Sequence, residues 1–244
     1  MQLTSILLAA TTLLAPVYSR VVIPTDGYRH PGLERRAGLD SCSGNELAAV
    51  EKALATASTL AAEAAKAAVN GDAALFESYF KTADPADRQL VADRYEAIAR
   101  EAAAGNNGNV TVVCGVEGKQ CGKGSIASAF QASSTILTCP TYHTVSADTR
   151  SCGGKDHALI MIHELSHLSS VFSPGTGDRA YSYNNCMKLN KEKAMTNADT
   201  FLYYANAIKN NCEIGEGATV IPDWLIKGLE EQKKEKENQQ NKQN

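Results

Sequence analysis

Residues Ala158–Tyr183 read ALIMIHELSHLSSVFSPGTGDRAYSY. Leu159, Ile160, Met161, Ile162, Leu165 and Leu168 make the first half nearly all apolar, so the pattern predicts a buried helix, with Asp156 placed to cap it. Inside that helix stand His163, Glu164 and His167. Buried imidazoles and a buried carboxylate need partners, and a metal ion is the economical one. Positions i and i+4 lie one turn apart on the same helix face, so both imidazoles can reach one ion at roughly 2.0–2.1 Å. Glu164, rotated by about 100° from His163, can hold a water on that ion without itself being a ligand. Neutral imidazoles leave a divalent ion most of its charge, which lowers the pKa of a bound water to about 7, where a carboxylate can take its proton. The pattern is that of metal-assisted hydrolysis.

A catalytic zinc needs a third protein ligand. No histidine follows His167, so that ligand must be acidic. Asp178 ends Ser173-Pro-Gly-Thr-Gly-Asp178, where Pro and Gly can turn the chain back toward the histidines. Glu192, expected on a final helix, competes. Spacing alone leaves both open.

The rest of the chain bounds the reading. At 244 residues and 43% apolar, it is long enough for one sizeable core or two small ones, and its formal charge of −3 gives no electrostatic case for nucleic acid. Residues 1–19 carry an apolar run from Leu7 to Val17 and end in Val17-Tyr18-Ser19, the pattern of a secretory signal peptide. The run is shorter than the roughly 20 residues of a spanning helix. Arg35-Arg36 is a candidate processing site, which makes 20–36 a short propeptide and 37–212 the main domain. Seven cysteines, at 42, 114, 121, 139, 152, 186 and 212, are expected to form bridges in an oxidising compartment, with one left over. Asn109-Val110-Thr111 is a glycosylation sequon in keeping with a secreted, extracellular protein.

Helices are predicted over 44–70, a short stretch at 72–81, 84–104 and 191–210, from apolar spacing with Gly71, Asp84-Pro85 and Gly105 as boundary signals. Between them, Val110–Val113 and Thr135–Thr138 are β-prone runs in Gly- and Asn-rich surroundings, expected to belong to a small antiparallel sheet of two or three strands. Residues 213–244 form an extension whose end, EEQKKEKENQQNKQN, has no apolar content.

HELSH followed by GTGDRAYSY resembles the deuterolysins, fungal secreted zinc endopeptidases with the pattern HExxH plus Gly-Thr-x-Asp-x-x-Tyr. DAALFESYFKTAD at 72–84, Cys139-Pro-Thr-Tyr142, and NADTFLYYANAI at 197–208 with Cys212 are similar to the same family, in the family's order. The resemblance implies a mainly helical α+β, zincin-like, disulfide-stapled metallopeptidase with one zinc per chain. It implies His163, His167 and Asp178 as zinc ligands, Glu164 as the general base that activates a zinc-bound water, and Tyr142 as the group that stabilises the oxyanion. It pairs Cys42 with Cys114, Cys121 with Cys139 and Cys152 with Cys212, leaving Cys186 odd. Protein or peptide substrates, basic proteins among them, are implied, and a monomer without membrane or nucleic-acid partners is expected. The chain departs from the family in its short propeptide, its extension, and Ser182 where the family has Gly. These departures keep a second reading in play, a secreted binding protein or effector that retains the metal but no longer cuts.

Overall fold

The computed structural model describes residues 41–218. The expected signal peptide and propeptide, the start of the main domain and residues 219–244 of the extension lie outside the described residues.

Helix α1 (Gly44–Asn70) buries Val50, Leu54 and Leu60 among seven turns rich in alanine, and those small side chains let its neighbours approach closely. Helix α2 (Ala73–Phe80) starts at Asp72, whose carboxylate accepts from Ala74 N, and α3 (Pro85–Ala104) starts at Asp84, which caps Ala86 N at 2.8 Å. Helix α4 (His157–His167) is capped by Asp156, whose Oδ1 accepts from Leu159 N at 2.9 Å. Two short helices, α5 (Tyr183–Cys186) and α6 (Lys191–Ala194), precede α7 (Ala198–Asn210). The core sits where α1 packs against α3, α4 and α7. Phe76, Phe80, Tyr95, Phe201 and Tyr204 join α2 and α3 to α7 in one aromatic cluster, with centroids 4.7–6.1 Å apart.

The long final helix expected over 191–210 is two helices. Between them Gly177 N donates to Thr196 O at 2.9 Å and Ala198 N donates to Gly177 O at 3.1 Å. A loop strand from elsewhere takes the backbone groups that a continuous helix would have used internally.

The sheet has three strands, β1 (Thr111–Cys114), β2 (Ala127–Phe130) and β3 (Thr135–Thr138), in the order β1-β3-β2. It is mixed, which corrects the antiparallel expectation: β1 runs parallel to β3, with Val112 opposite Ile136, and β2 antiparallel to it, with Ser128 opposite Leu137. The short turn Gln131–Ser134 permits only an antiparallel return from β2 to β3. The longer path from β1 frees that strand to pair in parallel with the other edge of β3.

Disulfides Cys42–Cys114, Cys121–Cys139 and Cys152–Cys212 tie α1 to β1, the loop after β1 to the end of β3, and the approach to α4 to the end of α7. By constraining the unfolded chain each contributes roughly 2–4 kcal/mol. Cys186 is a free, buried thiol. Among the described residues no helix is long and apolar enough to cross a membrane.

Candidate metal centre

One face of α4 packs into the core and the other opens on a cavity of about 570 Å³, floored by α4 and walled by β2, Lys155, the 176–181 loop and the start of α7. His163 and His167 point into it from successive turns, with Nε2 atoms 3.1 Å apart. Asp178 Oδ1 stands 3.3 Å from His163 Nε2 and 3.4 Å from His167 Nε2. These spacings fit one ion, since ligand atoms roughly 2.0–2.1 Å from a tetrahedral centre are about 3.3–3.4 Å from each other.

The far side of each ring says which atoms are free to bind. His163 Nδ1 lies 2.8 Å from Asp199 Oδ1, and His167 Nδ1 lies 3.1 Å from the Thr176 carbonyl. Both neighbours are acceptors, so each Nδ1 carries the proton and each Nε2 turns a lone pair toward the other and toward a carboxylate oxygen. Three acceptors converging with no donor between them require a positive charge. Protonation is one way to supply it. Burial disfavours a charged His163, but the neighbouring carboxylates of Asp178 and Asp199 outweigh burial and hold its pKa at about 9. His167, pushed down by burial and then by His163, stays neutral. Asp178 is held down at about 2, chiefly by its bond to His163.

Glu164 is buried, and burial raises its carboxyl to about 7 against the pull of His163. Its buried Oε2 has no hydrogen-bond partner among the described residues, and the residue lines the cavity. An unpartnered carboxylate beside a cation site is a proton acceptor waiting for a donor.

The loop that delivers Asp178 is built for close approach. A β-carbon at Gly175 would collide with the carbonyl of His167, so only glycine lets the loop lie against the end of α4. Ser166 and Thr176 share a hydroxyl bond of 2.8 Å, and Thr176 N donates to Ser166 O at 2.9 Å. Ser182 stands at φ +73°, ψ 151°, a region favourable only to glycine, and its N–H donates to Asp199 Oδ2 at 2.9 Å.

Of the residues expected from the sequence, His163, Glu164, His167 and Asp178 come together. Glu192 is exposed on α6 and does not line the cavity. Tyr142 is not brought there either. It is fully buried under the start of α4, its hydroxyl donating to the His157 carbonyl at 3.3 Å and its ring stacked on His157. Tyr181 lines the cavity instead, its ring roughly parallel to that of His163 at 6.3 Å. Sequence reasoning assigned no role to Tyr181, although it ends the quoted Gly-Thr-x-Asp-x-x-Tyr motif. It also missed Asp199, which is fully buried on α7 and ion-paired with Lys155 at 3.0 Å. A carboxylate just ahead of the apolar run Phe201–Ala205 was the available signal.

The model of the deuterolysin metalloprotease (M35) family matches residues 29–212. A neutral protease 2 homolog of Blastomyces gilchristii is 39% identical over 193 residues, covering 78% of this chain and 53% of its own length. One from Aspergillus oryzae is 38% identical over 181 residues, with 74% and 51% covered. The chain thus spans about half the length of these curated relatives. Among solved structures, a zinc peptidase from Grifola frondosa shares the fold, with a TM-score of 0.56 at 20% identity over 68% of this chain and 97% of that one. The chain belongs to the deuterolysin metalloprotease (M35) family.

Proposed function

We propose that the protein is a secreted zinc endopeptidase that hydrolyses peptide bonds in proteins. The observation that carries this reading is the convergence of His163 Nε2, His167 Nε2 and Asp178 Oδ1 at 3.1–3.4 Å, beside the unpartnered carboxylate of Glu164 in an open cleft. Those three side chains would hold one Zn²⁺. When bound, the ion supplies Lewis acidity toward a carbonyl oxygen and makes water a stronger acid.

The chain's own residues do the remaining work. β2 is an edge strand, and Ala127, Ser128 and Ala129 line the cleft. Its free backbone groups can pair with an extended peptide and lay a scissile bond across α4. Glu164 takes a proton from the attacking water and passes it to the leaving amine nitrogen. The Tyr181 hydroxyl, at the mouth of the cleft, donates to the oxygen that gains charge in the transition state. Asp199 and Thr176 hold the two imidazoles in the tautomer that leaves Nε2 free. Secretion is supported by three disulfides, which persist in oxidising compartments.

The test is hydrolysis of casein and of protamine by the purified full chain, with a zinc assay, before and after chelation. Activity lost on chelation and restored by zinc is expected. Stoichiometric zinc without cleavage of either substrate would instead favour a binding protein that keeps the site, and failure to bind zinc would overturn the reading.

A further inference from the structure

Asn197 lies in the interruption between α6 and α7 and is fully buried. Its Oδ1 accepts from the backbone N–H of Arg179 at 2.8 Å and from that of Ala180 at 3.0 Å. Its Nδ2 donates to Thr200 Oγ1 at 3.1 Å and to Cys186 Sγ at 3.3 Å. The partners fix the amide's orientation, because only its oxygen can accept from two N–H groups. On the other side of Asp178, Gly177 is paired through both its backbone groups with Thr196 and Ala198. The third candidate ligand is therefore flanked on both sides by bonds to one four-residue segment, Thr196–Asp199. The last residue of that segment contacts His163 Nδ1 and Ser182 N.

A buried amide with all its bonds made is costly to desolvate and strongly directional. Core filling alone would be served as well by an apolar side chain of similar size. What the amide does that a leucine could not is hold the backbone of Arg179 and Ala180 at a fixed height over α7, and so set how far Asp178 reaches toward the two imidazoles. We propose that Asn197 is a positioning residue for the metal centre, acting through Asp178 without touching ion or substrate. The proposal rests on reading His163, His167 and Asp178 as the zinc ligands.

The experiment is zinc affinity of the full chain, measured by competition with a chromophoric chelator, together with the visible spectrum of the Co²⁺-loaded protein. Asn197→Ala is expected to weaken zinc binding roughly 10–100-fold, the range seen when groups that orient metal ligands are removed, and to change the Co²⁺ spectrum as the carboxylate disengages. Phe80→Leu loosens the packing of α2 on α7 without touching the loop. It should lower the melting temperature while leaving zinc affinity within about twofold, since it breaks no bond to a ligand-bearing segment. In an Asp178→Ala background, adding Asn197→Ala should change zinc affinity by less than about twofold, because the residue through which it acts is gone. Additive losses in that double variant, or wild-type affinity and spectrum in Asn197→Ala, would overturn the proposal. If the alanine variant does not fold, Asn197→Ser carries the same test, its hydroxyl being too short to serve both N–H groups. A wild-type chain that binds no zinc, with Asp178→Ala indistinguishable from it, would instead refute the ligand assignment.

Discussion

Helix α4 and the loop from Ser173 to Ser182 each contribute to the same three-atom site, and they are held in place by different forces. His163 and His167 are placed by helical periodicity, on an element whose other face is buried among Leu159, Met161, Ile162 and Leu165. Asp178 sits on a loop with almost no apolar anchorage. That loop is fixed by Arg94 on Pro174 O at 2.8 Å, Ser166 on Thr176, the Gly177 pairing, Asn197, and Asp199 on Ser182. Non-directional burial tolerates small errors in side-chain shape, whereas buried hydrogen bonds fail one at a time and leave an unsatisfied group when they do. The loop is the fragile half of the site, and variants should show it.

The largest effect belongs to the helix. Glu164→Gln removes the proton acceptor but no ligand, so hydrolysis of a peptide substrate should fall by about 10²–10⁴ in kcat/KM at the least, with zinc content unchanged. Retention of wild-type turnover would remove Glu164 from the chemistry. Next is Asp199→Asn, which takes the carboxylate from His163 Nδ1 and leaves Lys155 without its counter-charge. Zinc affinity should drop roughly 10–100-fold in a chelator competition. Arg94→Met cuts the guanidinium bonds to the Ser166, Phe172 and Pro174 carbonyls while keeping the side-chain stem. It should cost about 1–3 kcal/mol in denaturant unfolding and weaken zinc binding more than an equally destabilising change in α1 does. Equal effects on zinc from both would erase the distinction between helix and loop.

Two smaller effects sharpen the comparison. His163, with a pKa raised to about 9 in the metal-free chain, is protonated at neutral pH, and a metal can bind only its deprotonated form. Zinc binding should therefore release at least about one proton per ion at pH 7, from His163 and in part from Glu164, whose carboxyl lies at about 7, read by calorimetry in buffers of different ionisation enthalpy. Affinity rises with pH up to about 9. The smallest effect is at Ser182, whose φ of +73° strains any residue with a β-carbon. Ser182→Gly relieves roughly 1–3 kcal/mol of strain and loses about 0.5–1 kcal/mol to the freer unfolded chain. The variant should melt a few degrees higher, and a lower melting temperature would mean the serine is not strained.

What was legible follows the same division. The helix α4 and its His-Glu-His face could be read because a 3.6-residue period and a five-residue motif are local properties. Helices α1 and α3 could be read for the same reason, with Asp84-Pro85 and Gly105 marking the ends. The parallel pairing of β1 with β3 was hidden, since strand direction depends on how the intervening chain returns. β2 was hidden too, because Ala-Ser-Ala-Phe carries little β signal. The break at Met195–Asn197 was hidden because its cause, the arrival of Gly177, lies far away in sequence. Tyr142 and Tyr181 show the limit within the site itself. Both lie in motif-like stretches, and only packing tells that one hydroxyl is spent on the His157 carbonyl while the other side chain lines the cleft.

The most direct measurement is the zinc K-edge X-ray absorption spectrum of the full chain loaded with one equivalent of zinc, recorded for the wild type and for Asp178→Asn. The expected wild-type spectrum shows two imidazoles with oxygen ligands at roughly 2.0–2.2 Å, and the Asp178→Asn spectrum departs from it while keeping both imidazoles. An Asp178→Asn spectrum identical to wild type, or a wild-type site with fewer than two imidazoles, would contradict a centre shared between the helix and the loop.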